Sequence, residues 1–278
     1  MGRHTVSVDG HNMSVYEEGS GARTLVFLAG SGISSPMLEY RALYRTLADT
    51  CRVVVIERFG YGYSDVIDSE RSFGTIVRQD REALNKAGIE GPFVLCPHSM
   101  AGVEALKWAA DYPSEVEAII GLDMTVPEAY DTIEKRIKGA ESTLKLVSFL
   151  KRTGIIKIMS NEMLSIPKTL TKDEKKEYRS IFYSKFGNIC VMNESAAVAA
   201  VRDELRNRPK PSVPMLLFVS NGKMTGDDEK TWRSFPKAYA EGMDNIRIVE
   251  VNAGHNLYNV ETSMINSTIR DFLFMIQS

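Results

Sequence analysis

Cysteine is scarce in this chain of 278 residues: Cys51, Cys96 and Cys190 are too few and too scattered for a disulfide framework. A reducing compartment is the default reading, and the expected location is the cytoplasm. Long apolar runs are also missing. No stretch approaches the roughly 18 uninterrupted apolar residues of a membrane span, and the start Met1-Gly2-Arg3-His4-Thr5 lacks the apolar region of a secretory signal. Val6 stands where a myristoylation motif takes serine or threonine. Low-complexity tracts and internal repeats are absent, so repeat architectures are excluded. A formal net charge of −2, with 44% hydrophobic and 25% charged residues, is that of an ordinary globular protein able to bury a large core.

What is present is a rhythm of short apolar runs. Residues 4–18 alternate as a hairpin, with Val6 and Val8, an Asp9-Gly10 turn, then Met13 and Val15. Strands are then expected at 24–28, 53–56, 93–96 and 116–122, separated by helical patterns at 37–48, 72–87 and 100–112. Strand and helix in alternation mean right-handed βαβ units and a parallel sheet covered on both faces. After Asp123 the rhythm stops, and 125–212 reads as helices only, ending among Pro209, Pro211 and Pro214. It resumes with strands at 215–219 and 246–251 and helices at 230–240 and 261–276. The helical insertion reads as a cap. It carries 17 Lys and Arg against 11 Asp and Glu, whereas the rest holds 17 against 25. That excess reads first as solvated helix faces; attraction to anionic substrates or a membrane surface is the other reading.

The most informative stretch is Pro97-His98-Ser99-Met100-Ala101-Gly102, directly behind the run Phe93 to Cys96. It predicts a strand turning sharply into a helix with serine at the corner, where small residues let the two elements nearly touch. The competing reading is a serine that merely caps the helix. A serine hydroxyl needs a base within reach and a third group to orient that base. Histidines number four. His4 and His11 fall in the opening hairpin, and His98 should point to the opposite face from Ser99. His255, just after the last strand, stands at the sheet edge where open α/β sheets place their ligands. Backbone donors for an oxyanion are expected at Met100 and, in the loop Ala29-Gly30-Ser31-Gly32, at Ser31. No Cys or His pair has metal-ligand spacing, so neither metal nor cofactor is expected.

Together these residues resemble the α/β-hydrolase superfamily over essentially the whole chain. Leu28-Ala29-Gly30-Ser31 is similar to its oxyanion loop, with Ala29 where histidine is frequent. Glu57-Arg58-Phe59-Gly60-Tyr61-Gly62-Tyr63-Ser64 is similar to its Asp-x-x-Gly-x-Gly-x-Ser stretch, with Glu57 for aspartate, and Gly254-His255 resembles the histidine loop. The resemblance implies a mostly parallel eight-stranded sheet flanked by helices, with an all-helical cap between strands 6 and 7. The core would be 1–124 with 213–278, and the cap 125–212.

The family order of serine, acid and histidine implies an acid between Ser99 and His255. The usual place, counted from Gly222, holds Thr225, a departure. Asp123, at the end of the strand before the cap, is the preferred acid, with Asp228 and then Asp227 as alternatives. The implied activity is that of a serine hydrolase, carboxylesterase- or lipase-like. The serine argues against dehalogenase and epoxide hydrolase chemistry, for which those relatives place aspartate at the corner. Carbon–carbon bond hydrolysis and aminopeptidase activity remain alternatives, although the Gly-Gly-Pro-Gly loop of proline iminopeptidases is missing. A ligand receptor on a hydrolase scaffold is the alternative of another class. The expected partner is a small apolar acyl molecule rather than a nucleic acid; membrane contact is unsupported and the oligomeric state is unknown. Tyr130, Phe149, Ile156, Met159, Met163, Phe182 and Met192 suggest an apolar pocket or internal cap packing.

Overall fold

The computed structural model describes residues 2–133 and 164–276. Eight strands form one sheet: β1 (Gly2–Val8), β2 (His11–Glu18), β3 (Thr24–Leu28), β4 (Arg52–Glu57), β5 (Phe93–Pro97), β6 (Val116–Leu122), β7 (Met215–Val219) and β8 (Ile246–Glu250). Their spatial order is β1-β2-β4-β3-β5-β6-β7-β8. The hairpin β1–β2 and the β2–β4 pair are antiparallel, and every later pairing is parallel. β3, β5 and β7 are buried at every position, which is why they read as continuous apolar runs rather than alternating ones.

Around the sheet lie α1 (Pro36–Glu39), α2 (Arg41–Leu47), α3 (Phe73–Lys86), α4 (Ala101–Asp111), α5 (Lys172–Lys185), α6 (Ile189–Arg206), α7 (Glu229–Ala240) and α8 (Thr262–Met275). On one face Val77 and Leu84 of α3, Leu106 and Trp108 of α4 and Trp232 of α7 pack on Val26, Leu95, Ile119 and Leu217. On the other, Leu43 and Leu47 of α2 and Ile265, Ile269 and Leu273 of α8 pack on Phe27, Val55, Val94 and Phe218. Short side chains start several helices: Ser72 accepts the Thr75 amide at 3.2 Å, and Thr171 and Glu174 form a reciprocal capping box.

One sequence expectation needs adjustment. The helix expected over 37–48 is broken at Tyr40 (φ −88°, ψ 2°), which turns Glu39 into the interior. Between β6 and β7 the described residues form helices and no strand, and α5 and α6 both touch the core. Many of the insertion's cations are paired: Arg202 and Arg206 reach Asp131, and Arg208 reaches Asp111. Among the described residues no helix is long and apolar enough to cross a membrane.

Candidate active site

Parallel strands leave unpaired chain ends at their carboxyl edge, and the loops after β3, β5, β6, β7 and β8 converge there. After β5 the chain reverses within three residues, so that α4 begins at Ala101. Ser99 adopts φ 52°, a left-handed conformation that costs an L-residue roughly 1–2 kcal/mol. Surrounding bonds hold it there. The Ser99 carbonyl accepts the amides of Gly102 and Thr125, both at 2.9 Å, and the Thr125 hydroxyl at 3.0 Å. Close approach demands glycine on both sides of this corner. A Cβ at Gly102 would lie 2.0 Å from the Thr125 carbonyl oxygen, and one at Gly30 would lie 2.7 Å from the Ser99 Cβ.

The start of α4 has no side-chain cap. The Ser99 Oγ instead lies 2.9 Å from His255 Nε2. His255 Nδ1 lies 2.6 Å from Asp123 Oδ2, which makes Nδ1 the protonated nitrogen and leaves Nε2 to accept from the serine. Asp123 is buried, with φ 53° at the end of β6, and its Oδ1 accepts the Ser220 amide at 2.7 Å and the Trp232 indole at 2.8 Å. Its amide donates to the Phe218 carbonyl at 2.9 Å, continuing the β6–β7 ladder beyond the last strand residue. The loop of His255 is fixed in turn by its amide, which donates to the Lys223 carbonyl at 2.9 Å.

The structure thus brings Ser99, His255 and Asp123 into one hydrogen-bonded line. It places the alternative carboxylates elsewhere. Asp228 caps α7, accepting the Thr231 amide at 3.0 Å. Asp227 sits just before it in the loop after β7, its amide donating to the Thr225 hydroxyl at 3.2 Å. Thr225 donates to the Gly222 carbonyl at 2.7 Å. His98 is nearer to the line than strand alternation suggests: its ring lies 4.5 Å from that of His255, and Nε2 donates to the His255 carbonyl at 3.2 Å. Burial, and then His255, hold the His98 pKa well below the ordinary value, so its ring is neutral and supports the loop without repelling an imidazolium.

A cavity of about 560 Å³ opens on Ser99, lined by Ser31, Met100, Thr125, Tyr130, Ile133, Ser195, Val198, Met224, Thr225, Gly226, Trp232 and His255. Ser31 and Met100 therefore share a wall with the serine. Of the cap residues expected to be apolar, Tyr130 lines this cavity, Phe182 packs beside Leu38 and Ile181, and Met192 is exposed to solvent. Phe149, Ile156, Met159 and Met163 lie outside the described residues. Trp232 and Ser220 could not be picked out from the sequence, because both reach Asp123 from about a hundred residues away. Among the described residues no three His, Cys, Asp or Glu side chains gather as metal ligands.

A family model described as the alpha/beta hydrolase fold matches residues 23–152. The uncharacterized protein YbdG of Bacillus subtilis is 32% identical over 277 residues, covering 96% of this chain and 84% of YbdG. The chain belongs to the α/β-hydrolase superfamily. A 2-(acetamidomethylene)succinate hydrolase of Mesorhizobium japonicum is 27% identical over 130 residues, 46% of this chain and 45% of that protein. Among solved structures, a loop variant of a haloalkane dehalogenase from Bradyrhizobium elkanii superposes with a TM-score of 0.74 at 18% identity, covering 99% of this chain and 97% of its own. That likeness is one of fold. Superfamily membership supports an enzyme.

Proposed function

We propose that this α/β hydrolase cleaves a carboxylic ester or related acyl substrate through an acyl-enzyme, with Ser99 as nucleophile, His255 as base and Asp123 as its orienting acid. The observation that carries this reading is the continuous line from Ser99 Oγ through His255 to Asp123, with its serine end open to a cavity. Ser99 Oγ attacks the acyl carbon while its proton passes to His255 Nε2. The tetrahedral oxyanion is met by the amides of Met100 and Ser31. As the carbon–oxygen bond to the alcohol breaks, His255 returns the proton to the leaving oxygen. Water then repeats the sequence on the acyl-enzyme, its proton again taken by His255 and delivered to Ser99 as the acid departs.

Asp123 supports hydrolysis over a receptor without turnover, since the departure at Thr225 leaves no gap behind His255. Residues 125–212 are assigned as the cap over the cavity. The described lining contains no Lys, Arg, Asp or Glu, which favours a neutral substrate over one with carboxylates. The test is labelling of native protein with a fluorophosphonate, located by peptide mapping, together with hydrolysis of 4-nitrophenyl esters of graded chain length. Modification of Ser99 and turnover of short neutral esters is the expected result; an unreactive Ser99 would overturn the assignment.

A further inference from the structure

Residues 57–64 supply no reacting atom to this mechanism, yet they touch both the loop of Ser31 and the cap. Toward the loop, the Gly62 amide donates to the Ser34 carbonyl at 2.8 Å, while the Glu57 carboxylate accepts the amide of Met37 in α1 at 3.5 Å and that of Tyr63 in the segment itself at 3.0 Å. Toward the cap, Asn188 Nδ2 donates to the Gly60 carbonyl at 2.8 Å and Lys185 Nζ to the Ser64 carbonyl at 2.5 Å. Arg58 faces both ways.

All three nitrogens of the buried Arg58 guanidinium donate hydrogen bonds. Nη1 donates to the Ala29 carbonyl at 2.6 Å and lies 3.4 Å from Glu104 Oε2. Nη2 donates to the Tyr61 hydroxyl and to Glu194 Oε2, both at 3.0 Å, and Nε lies 3.1 Å from the same oxygen. Glu194, on α6, is completely buried and also accepts Arg71 Nη2 and the Tyr61 hydroxyl, each at 2.9 Å. The Ala29 carbonyl belongs to the peptide just before the one that carries the Ser31 amide. That second peptide is held on its other side by a long 3.4 Å bond from Ile33 to the Gly30 carbonyl. Gly30, the joint between the two, is packed so closely on Ser99 and His98 that an added Cβ would lie 2.7 Å and 2.8 Å from their atoms, so it has little room to turn and the Ser31 amide moves with the Ala29 carbonyl that Arg58 holds.

We propose that Arg58 is the positioning residue for the Ser31 oxyanion donor and that Glu194 sets Arg58, so that the oxyanion hole is complete only when α6 is seated on the core. The inference rests on the function proposed above, and deepens it by tying the cap to turnover as well as to substrate choice. Removing a single oxyanion donor costs roughly 100- to 1,000-fold in kcat, so displacing one is expected to cost part of that. Glu194→Gln should lower kcat about 10- to 100-fold with KM within about 3-fold, and Tyr61→Phe, which keeps the ring and both charges, about 3- to 10-fold.

Phenylboronic acid, which becomes tetrahedral on Ser99 and places an oxygen in the hole, supplies a readout that a general structural defect would not reproduce. Its Ki should rise by the factor by which kcat/KM falls. The double variant Arg58→Lys, Glu194→Gln should be no slower than Arg58→Lys alone, because both changes act through one contact. Wild-type protein that turns over esters while the variants keep full kcat, or lose kcat without losing boronate affinity, or show additive losses, would overturn the coupling alone. Wild-type protein that neither labels nor turns over would instead remove the site assignment beneath it.

Discussion

The line from Ser99 to Asp123 and the cluster around Arg58 are both assembled from residues far apart in the chain, but one is open and sparsely bonded while the other is closed and crowded with partners. His255 keeps 16% of its side chain exposed, and the serine hydroxyl faces a cavity. Arg58, Arg71 and Glu194 are 3% exposed or less and share their bonds among themselves. Asp80, beside them, is lifted well above the usual carboxylate range by burial and then by Glu104. A group that must pass a proton needs a vacant neighbour and a strained corner to present it. A group that fixes geometry needs the reverse, since a buried charge is stable only when its donors are matched.

The contrast is sharpest under substitution. Ser99→Ala should abolish ester turnover, a loss of more than about 1,000-fold, with little change in unfolding midpoint because no packing is lost. Asp123→Asn should follow closely: an amide there favours the wrong imidazole tautomer, worth roughly 10⁴-fold where an aspartate orients a histidine. Asp228→Ala is the control within the same comparison. It should leave turnover within about 2-fold and lower the urea unfolding midpoint through loss of the α7 cap. If Asp228→Ala rather than Asp123→Asn removed turnover, the geometric line would not be the functional one.

The two regions also differ in how far the sequence announces them. β-Branched runs and the turn at Asp9-Gly10 are local signals, and the strands they mark are all present. Ser99 and His255 follow strands in local motifs of the sequence, and the resemblance points to Asp123 at the end of β6 while leaving Asp228 and Asp227 open; the structure brings the first three into one hydrogen-bonded line. Nothing local marks Glu194, which lies 136 residues from Arg58 on an amphipathic helix, where a glutamate ordinarily reads as solvated. The break at Tyr40 was hidden for a related reason: periodicity continues through 37–48, and what ends the helix is the inward turn of Glu39 toward partners near residues 178 and 258.

A smaller effect probes the support behind the open line. Trp232 donates to the Asp123 oxygen that does not face His255. Trp232→Phe keeps most of the ring packed against His255 and removes that bond, which for a charged acceptor is worth about 1.5–3 kcal/mol. Part of this should be recovered through the remaining Ser220 amide, so kcat should fall only about 10-fold with KM nearly constant. An unchanged kcat would mean that the amide alone holds the carboxylate.

Glu39 sharpens the comparison from the other side, because it is a buried carboxyl with no guanidinium. Its partners are the hydroxyls of Tyr178 on α5, at 2.8 Å, and Tyr258, at 3.0 Å, and the Asn259 amide, at 3.0 Å. Burial outweighs these bonds and pushes its pKa up to about 7. The unfolded chain returns it to the ordinary value near 4.3, so the folded state holds the extra proton between those limits. Its contribution is therefore complete below about pH 4 and is lost as pH rises through 7, a change on the order of 2–4 kcal/mol. Glu39→Gln keeps the shape and cannot ionise. The difference in urea stability between wild type and this variant should shift in the variant's favour from pH 5 to pH 8 and level off above. An equal difference at both pH values would show that Glu39 is ionised throughout, held by its three donors.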